Sequence, residues 1–548
     1  MSIETVDRGG SEAPVLVVGA GPVGSTLALE LAHHGVASIV VERSPRASRH
    51  PKMDFVNARS MELLRRLGLA DAIRELGVPS DHAFNFLWTQ GFDEAPVAEW
   101  TYPSVDELRD LMARVNDGSM PREPYQRVLG SLLEELGRRR CREHERVDLR
   151  EGWSFESLTQ DEAGVSAQVV ETATGRREHV RARYLVGCDG AGSAVGRAAG
   201  IPVDELGPRA QHCDVYFRST DPALHRHGRF FLAVSARGLT LVSRDGSRTW
   251  TGTFPLTGDE GPDLDPVAVI RERLGLDFEV DEVLTVAHWE GRLAVARRYA
   301  EGSVFLAGDA AHQFFPTGGH GANTGLGDAV DLGWKLAAVL NGWGGPGLPA
   351  SYEAERRPVA LFNREMCFNL LEVWRRFPAL HAGGAGRAQL AGFLEHERYQ
   401  ISNIGIHFGH RYDASPVVCH EDGPQPAWEW RRIVPTTWPG GRLPSVRLGD
   451  GTELFDLLGR ELTLLDASGA GAGKPLADEA AKRGLPLTLV SVDDADVRAV
   501  LERDLVLVRP DHHVAWRGDS APSDCASVLG RISGHRPAVA PHATTPLG

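Results

Sequence analysis

VLVVGAGPVGSTLALELAHHGVASIVVE, residues 15–42, carries the pattern that decides the fold. A short β-branched run after Pro14 reads as a buried parallel strand. The glycine turn from Gly19 to Gly24 follows, then an amphipathic helix that stops near Gly35, then a second strand, ASIVVE, closing on Glu42. Strand, glycine turn, helix, strand and acidic residue stand in the order of a dinucleotide-binding unit. Gly19 makes the tight turn, Gly21 lets the backbone approach a pyrophosphate, and Gly24 lets the helix pack closely on the strand. The unpaired N–H groups of the helix start face the phosphates. Glu42 is placed to accept the ribose hydroxyls.

Two further glycine clusters lie downstream. RARYLVGCDGAGS, residues 181–193, is an apolar strand running into Asp189 and Gly190. GSVFLAGDAAHQFFPTGGHGANTGLGDAVDLGWKLAAVL, residues 302–340, predicts a strand, a turn, a glycine loop and a long helix from about Ala322. Any one of these reads equally well as a tight connection. Three, each after an apolar strand, spend much of the chain's 61 glycines in places where a backbone can approach a ligand.

The surrounding sequence bounds the rest. At 548 residues the chain exceeds the roughly 250 to 300 that one core supports, so two or three domains are expected. With 42% hydrophobic and 24% charged residues it is globular in composition. Lys plus Arg number 59 against 74 Asp plus Glu, a net charge of −15, which argues against nucleic acid as a partner. No run approaches the roughly 18 apolar residues of a membrane span, and MSIETVDRGGSEAP offers no signal stretch, so the cytoplasm is the expected location. Six cysteines without a CxxC, and no cluster with ligand spacing, give neither a redox pair nor a metal site. Between residues 200 and 290, HCDVYFR, RFFLAVS, LTLVSR and RTWTGTFPL predict an antiparallel sheet that would wall a substrate site. From about residue 395, strands alternate with short helices, as in a small α/β domain.

Taken together, GAGPVG with Glu42, the CDG of Cys188 to Gly190, and the GDAAH of Gly308 to His312 with its PTGGHGANTG resemble three fingerprints of one family. That family is the class A FAD-dependent aromatic monooxygenases, the para-hydroxybenzoate hydroxylase-like superfamily. PGGRLPSVRLGDG and LVLVRPDHHVAW resemble the extra C-terminal domain of its phenol hydroxylase and aromatic polyketide hydroxylase branch. The resemblance implies an α/β chain: a Rossmann-like FAD-binding domain, an inserted antiparallel β-sheet substrate domain and a C-terminal thioredoxin-like α/β domain. The expected boundaries are 1–80, 110–195 and 290–395 for the first, 81–109 and 196–289 for the second, and 396–548 for the third. Lacking CxxC, the third cannot run thiol exchange and is expected to serve structure or oligomer contacts.

The same resemblance assigns residues. FAD would be held by Gly19, Gly21, Pro22, Gly24, Glu42, Arg43, Lys52, Gln126, Asp189, Gly308 and Asp309, and by the loop residues Pro316, Gly319, Gly321, Ala322 and Asn323. Asp309 would accept from the ribityl hydroxyls, while the loop runs along the isoalloxazine and the following helix aims N–H groups at its N1 and C2 carbonyl. NADPH or NADH would reduce FAD, dioxygen would form a C4a-hydroperoxide, and a phenol would attack it best as phenolate. Asp54 is the first candidate to act on that hydroxyl, against a helix-capping role; Tyr216 is the second, against simple core packing; Pro316 completes the catalytic set. His312 is expected to be structural, and His512 and His513 to occupy a turn.

Two positions depart from the family pattern. Gly196 stands where an Arg is usual, with Arg197 after it, and Lys52 replaces an Arg and its planar fork. The expected partners are a small aromatic substrate and dioxygen, with a homo-oligomer left open. Two rivals remain: an FAD-dependent halogenase, whose WxWxIP motif is approached only by the misspaced WEWRRIVP at Trp428 to Pro435, and a catalytically silent FAD-binding interaction protein.

Overall fold

In a computed structural model, residues 11–48, 50, 53–256, 264–401 and 403–535 are described. Lys52 lies outside them. VLVV forms the end of the strand Ser11–Val18, where Val15, Leu16 and Val17 are wholly buried. Each such side chain removes apolar surface from water, a gain of about 1.5 to 3 kcal/mol before chain entropy. The strand runs parallel to Ser38–Glu42 on one side and to Arg177–Gly187 on the other. Val147–Glu151 and Val304–Leu306 extend this parallel sheet outward. The antiparallel strands Trp153–Asp161 and Gly164–Glu171 join it through Arg177–Gly187. The helices Pro22–His33 and His320–Leu340 pack against one another over it. The latter begins at His320, earlier than the expected Ala322.

A second sheet is built mainly from five antiparallel strands in the spatial order Glu282–Ala296, Val203–Arg218, Thr249–Pro255, Leu239–Ser243 and Leu232–Ser235. The hairpin Phe84–Thr89 and Ala98–Tyr102 adds its edge by pairing parallel to Leu232–Ser235. Alternation along Val203–Arg218 sends Cys213, Val215 and Phe217, all fully buried, into a core with Leu241, Trp250, Phe254 and Ile270. His212, Asp214 and Tyr216 therefore share the opposite face.

The third sheet orders Leu487–Ser491, Leu462–Asp466, Leu505–Val508 and Val514–Gly518, with one parallel and two antiparallel pairings, flanked by short helices. A buried ion cluster fastens it to the first layer. Arg509 donates to Glu355 at 2.7 and 2.8 Å, to Asp511 at 2.7 Å and to Asp331 at 3.1 Å. Lys335 donates to Asp331 at 2.7 Å and to Glu355 at 2.5 Å. Two cations thus occupy the space among three carboxylates. Burial drives the Asp331 carboxyl well up, with Lys335 and Arg509 opposing it; at Glu355 the same cations outweigh burial and bring it down. Among the described residues, no helix is long and apolar enough to cross a membrane.

Candidate active site

The turn between Ser11–Val18 and Pro22–His33 is compact for a steric reason. A Cβ on Gly24 would stand 1.9 Å from the Gly19 carbonyl oxygen, and one on Gly19 2.4 Å from that of Cys188. Gly21 differs, because a Cβ there meets nothing within 4 Å. It is the N-cap of a helix that has no side-chain cap, with Pro22 at its first position. The open side of the turn therefore presents orphan N–H groups to an anion. Glu42 ends the adjoining strand and turns back: its Oε2 accepts from Ala20 N at 2.9 Å and its Oε1 from Ser44 N at 2.9 Å. Lone pairs remain on both oxygens for a ribose. Arg43 follows, exposed.

The Gly308 to Asn323 segment forms the second side. Gly308 takes φ +62° and donates its N–H to Asp328 Oδ2 at 3.1 Å; Asp309 beside it is exposed. His312 Nε2 also bonds Asp328, at 2.8 Å, and Arg356 Nε holds its other oxygen at 2.9 Å. His312 is thus a buried brace between the motif and the following helix, as expected. Pro316 is exposed, Gly318 and Gly319 turn the chain with positive φ, and His320–Leu340 starts without a side-chain cap. Gly321, Ala322 and Asn323 form its first turn. Two uncapped helix starts and an open Gly21 fit a dinucleotide with an electron-rich ring. Asn323 fixes the loop laterally: it accepts from Asn57 N at 2.9 Å and donates to Phe55 O at 2.9 Å and Gly319 O at 2.7 Å.

Asp54 lies next to that anchored segment. Asn57 accepts from Ser60 N and caps the helix Ala58–Arg66, so capping is not the role of Asp54. Asp54 Oδ2 pairs with Arg244 instead. Arg244 comes from the hairpin turn after Leu239–Ser243 and is steadied by Thr251 Oγ1 at 2.8 Å from its Nε. Asp54 Oδ1 is buried without a hydrogen-bond partner among the described residues. Tyr216 stands near this pair: burial raises its phenol, and Arg244 and Asp54 are among the charges acting on it. It is 9% exposed, on the strand face that also carries His212 and Asp214. Arg127, 4.5 Å over the Phe231 ring, donates to Ser243 O at 2.6 Å; burial lowers it to about 10 against the attraction of Asp54.

Not every candidate faces this cleft. Gln126 is buried in a short strand, and its amide donates to Val78 O at 2.9 Å and Arg127 O at 3.0 Å, which makes it a tie between segments. Asp189 accepts from Ser193 Oγ and from the N–H groups of Ala194 and Val195, in the first turn of the short helix Ala194–Ala198 that Ser193 caps. Arg197 bonds Gly192 O, with its donor atom on the surface side. His320 turns away, into a polar cavity of about 60 Å³ that His407, His410, Arg356, Arg442 and His513 also line. His512 and His513 occupy the turn between Leu505–Val508 and Val514–Gly518, His512 with φ +66°. Trp428 of the misspaced WEWRRIVP donates to Gly405 O and packs on Phe362.

The sequence reading missed Arg244, Arg127 and the pair His50–Asp214. The polar members of HCDVYFR alternate, which was a usable signal for His212, Asp214 and Tyr216; a lone Arg after LTLVS was not.

The profile of the family described as FAD binding domain matches residues 12–363, and that described as aromatic-ring hydroxylase, C-terminal, matches residues 436–535. The chain belongs to the FAD-dependent aromatic-ring hydroxylases. This hydroxylase is 34% identical over 95% of its length to the FAD-dependent monooxygenase apdD of Emericella nidulans, of which 90% is covered. It is 32% identical to the tetracenomycin B2 monooxygenase-dioxygenase of Streptomyces olivaceus, over 94% of this chain and 97% of that one. Among solved structures, the rebeccamycin biosynthetic enzyme RebC with reduced flavin aligns at a TM-score of 0.85 and 35% identity, covering 96% of this chain and all of the other. The hydroxylase binds FAD and is an NAD(P)H-dependent monooxygenase of an aromatic substrate.

Proposed function

We propose that Asp54 and Arg244 hold the hydroxyl of a phenolic ring in the cleft between the second sheet and the Pro316–Asn323 loop, and that dioxygen is the oxidant used there. The buried Oδ1 of a carboxylate, without a hydrogen-bond partner among the described residues and with its other oxygen fixed by Arg244, carries this reading. A carboxylate so placed accepts a proton or a hydrogen bond from a substrate O–H. Arg244 fixes one oxygen of Asp54 and stabilises negative charge left on the phenolic oxygen. Tyr216, beside both, orients the same oxygen. The charge increases the nucleophilicity of the ring carbons, which is what an electrophilic oxygen donor needs.

FAD, when bound, supplies the redox chemistry between NAD(P)H, dioxygen and the ring. Gly19, Gly21, Pro22 and Gly24 would receive its pyrophosphate, Glu42 and Arg43 its adenosine ribose, Asp309 its ribityl chain, and Pro316, Gly319, Gly321, Ala322 and Asn323 its ring system. Gln126 and Asp189 would support this cradle from behind, through the ties that their side chains make. We assign the three sheets to the flavin, substrate and C-terminal domains, with the boundaries expected from the sequence. All six cysteines are unpaired, which together with the use of NAD(P)H fits the cytoplasm.

Difference absorption of a bound phenol at neutral pH tests the reading. Wild-type holoenzyme should show the phenolate band and Asp54→Asn the neutral phenol. The same spectrum in both would overturn it.

A further inference from the structure

A second polar pair stands on the same wall. His50 Nε2 lies 3.1 Å from Asp214 Oδ2, and both side chains are largely buried. Burial would raise the Asp214 carboxyl, but hydrogen bonding, first from His50, brings it below the usual range. An ionised carboxylate only accepts, so the hydrogen between the two belongs to His50 Nε2. In the neutral imidazole this leaves Nδ1 as an acceptor. Nδ1 is buried and has no hydrogen-bond partner among the described residues, an arrangement that native interiors avoid unless a ligand completes it.

The position of the pair adds to this. Asp214 and Tyr216 are two residues apart on one strand face, and the His50 ring stands edge-on to Tyr216 with centroids 6.4 Å apart. Tyr216 in turn neighbours Asp54 and Arg244. The two polar clusters therefore flank one side chain. Along the same face His212 lies flat on Trp289, centroids 4.5 Å apart, with Phe315 of the flavin loop at its edge. Such a row suits a flat ring system with a polar group toward each cluster.

We propose that His50 is a second substrate-binding residue, whose Nδ1 accepts a hydrogen bond from an O–H or N–H of an aromatic substrate that has its reacting hydroxyl at Asp54. Asp214 is the positioning residue that fixes the His50 tautomer. The second group is a neutral donor, because a substrate carboxylate would face the charge of Asp214. The proposal rests on the reading of Asp54 and Arg244 as the hydroxyl site.

Matched pairs of ligands test it: catechol with guaiacol, and 2,7-dihydroxynaphthalene with 7-methoxy-2-naphthol, titrated into the FAD-loaded enzyme and followed through the flavin spectrum. For the pair that fits, wild type should bind the diol about tenfold tighter than its methyl ether, the scale of one hydrogen bond. His50→Phe should bind the two within about twofold, and His50→Gln, which retains an acceptor, should keep part of the preference. Asp214→Asn should lose much of it while its flavin band reports an intact fold, which covers the case of a misfolded His50→Phe. A diol preference unchanged in His50→Phe or Asp214→Asn, or absent from wild type that binds phenols, overturns the proposal alone. Wild type that binds no member of either pair overturns the phenol reading and the proposal with it.

Discussion

Arg244 reaches from a hairpin turn of the second sheet to pair with Asp54, while the other oxygen of that carboxylate stays buried and without a partner among the described residues. The pair joins two segments 190 residues apart in the chain, beside the loop that Asn323 pins in place. A fixed acceptor next to a fixed cation is what a phenol requires in order to lose its proton.

Asp54→Asn should therefore keep FAD and lower the rate of hydroxylation about a hundredfold or more, the range of a positioned acid or base. NAD(P)H consumption should fall less, with the difference appearing as released hydrogen peroxide. Parallel assays of cofactor consumed, product and peroxide check this; unchanged coupling would remove Asp54 from the chemistry.

Arg244→Met should take from the Asp54 carboxylate its ion-pair partner, with Arg127 left as the cation that Asp54 still attracts. Loss of the cation beside the phenolic oxygen should lower kcat/KM about tenfold or more, and Arg244→Lys, which keeps the charge without the planar fork, should restore part of it. An unchanged kcat/KM in Arg244→Met would show that Arg244 has no electrostatic hold on the reacting group.

The residues proposed for the cofactor cradle were legible because close backbone approach demands them. Gly19, Gly24 and Gly308 are demanded by close approach, and a sequence shows such demands directly. The substrate wall was legible as strands and in part as a face, through the alternation of His212, Asp214 and Tyr216. Arg244 and His50 were not, since each acquires meaning only from a partner far away in sequence, Asp54 or Asp214. Gln126 and Asp189 show the converse. They stand in the right motifs, yet their side chains hydrogen-bond to neighbouring chain segments.

Two glycine substitutions separate fold from cofactor. Gly24→Ala puts a methyl 1.9 Å from a carbonyl oxygen, so it should lower thermal stability and flavin content together. Gly21→Ala meets no atom of the chain within 4 Å and should leave the apoprotein melting temperature nearly unchanged. Its methyl would project where the pyrophosphate is expected, and FAD should bind at least about tenfold more weakly, a cost of ~1.4 kcal/mol. Calorimetry of the apoprotein with FAD titration decides the matter, and normal affinity in Gly21→Ala would count against this cradle.

The polar cavity behind the flavin loop sets an acid limit on stability. Burial pushes His320 down to about 4, and His513 likewise to about 4. The folded imidazoles stay neutral while the unfolded ones take up protons near pH 6.5. Between those values the unfolded state binds more protons, so stability falls as the pH drops from about 6.5 to 4. His320, 3% exposed, accounts for about 3 kcal/mol of that loss by pH 4. In His320→Gln the denaturant midpoint should depend less steeply on pH across this window; an unchanged dependence would refute the assignment.

The central claim is oxygen transfer to an aromatic ring in the Asp54–Arg244 cleft, and labelled dioxygen tests it most directly. FAD-loaded enzyme, NAD(P)H and a phenol that accelerates cofactor oxidation should give a product carrying one labelled oxygen atom on the ring, and Asp54→Asn should give mainly unlabelled starting phenol and labelled peroxide. A product labelled from water, or equal labelled product from wild type and Asp54→Asn, would contradict the account.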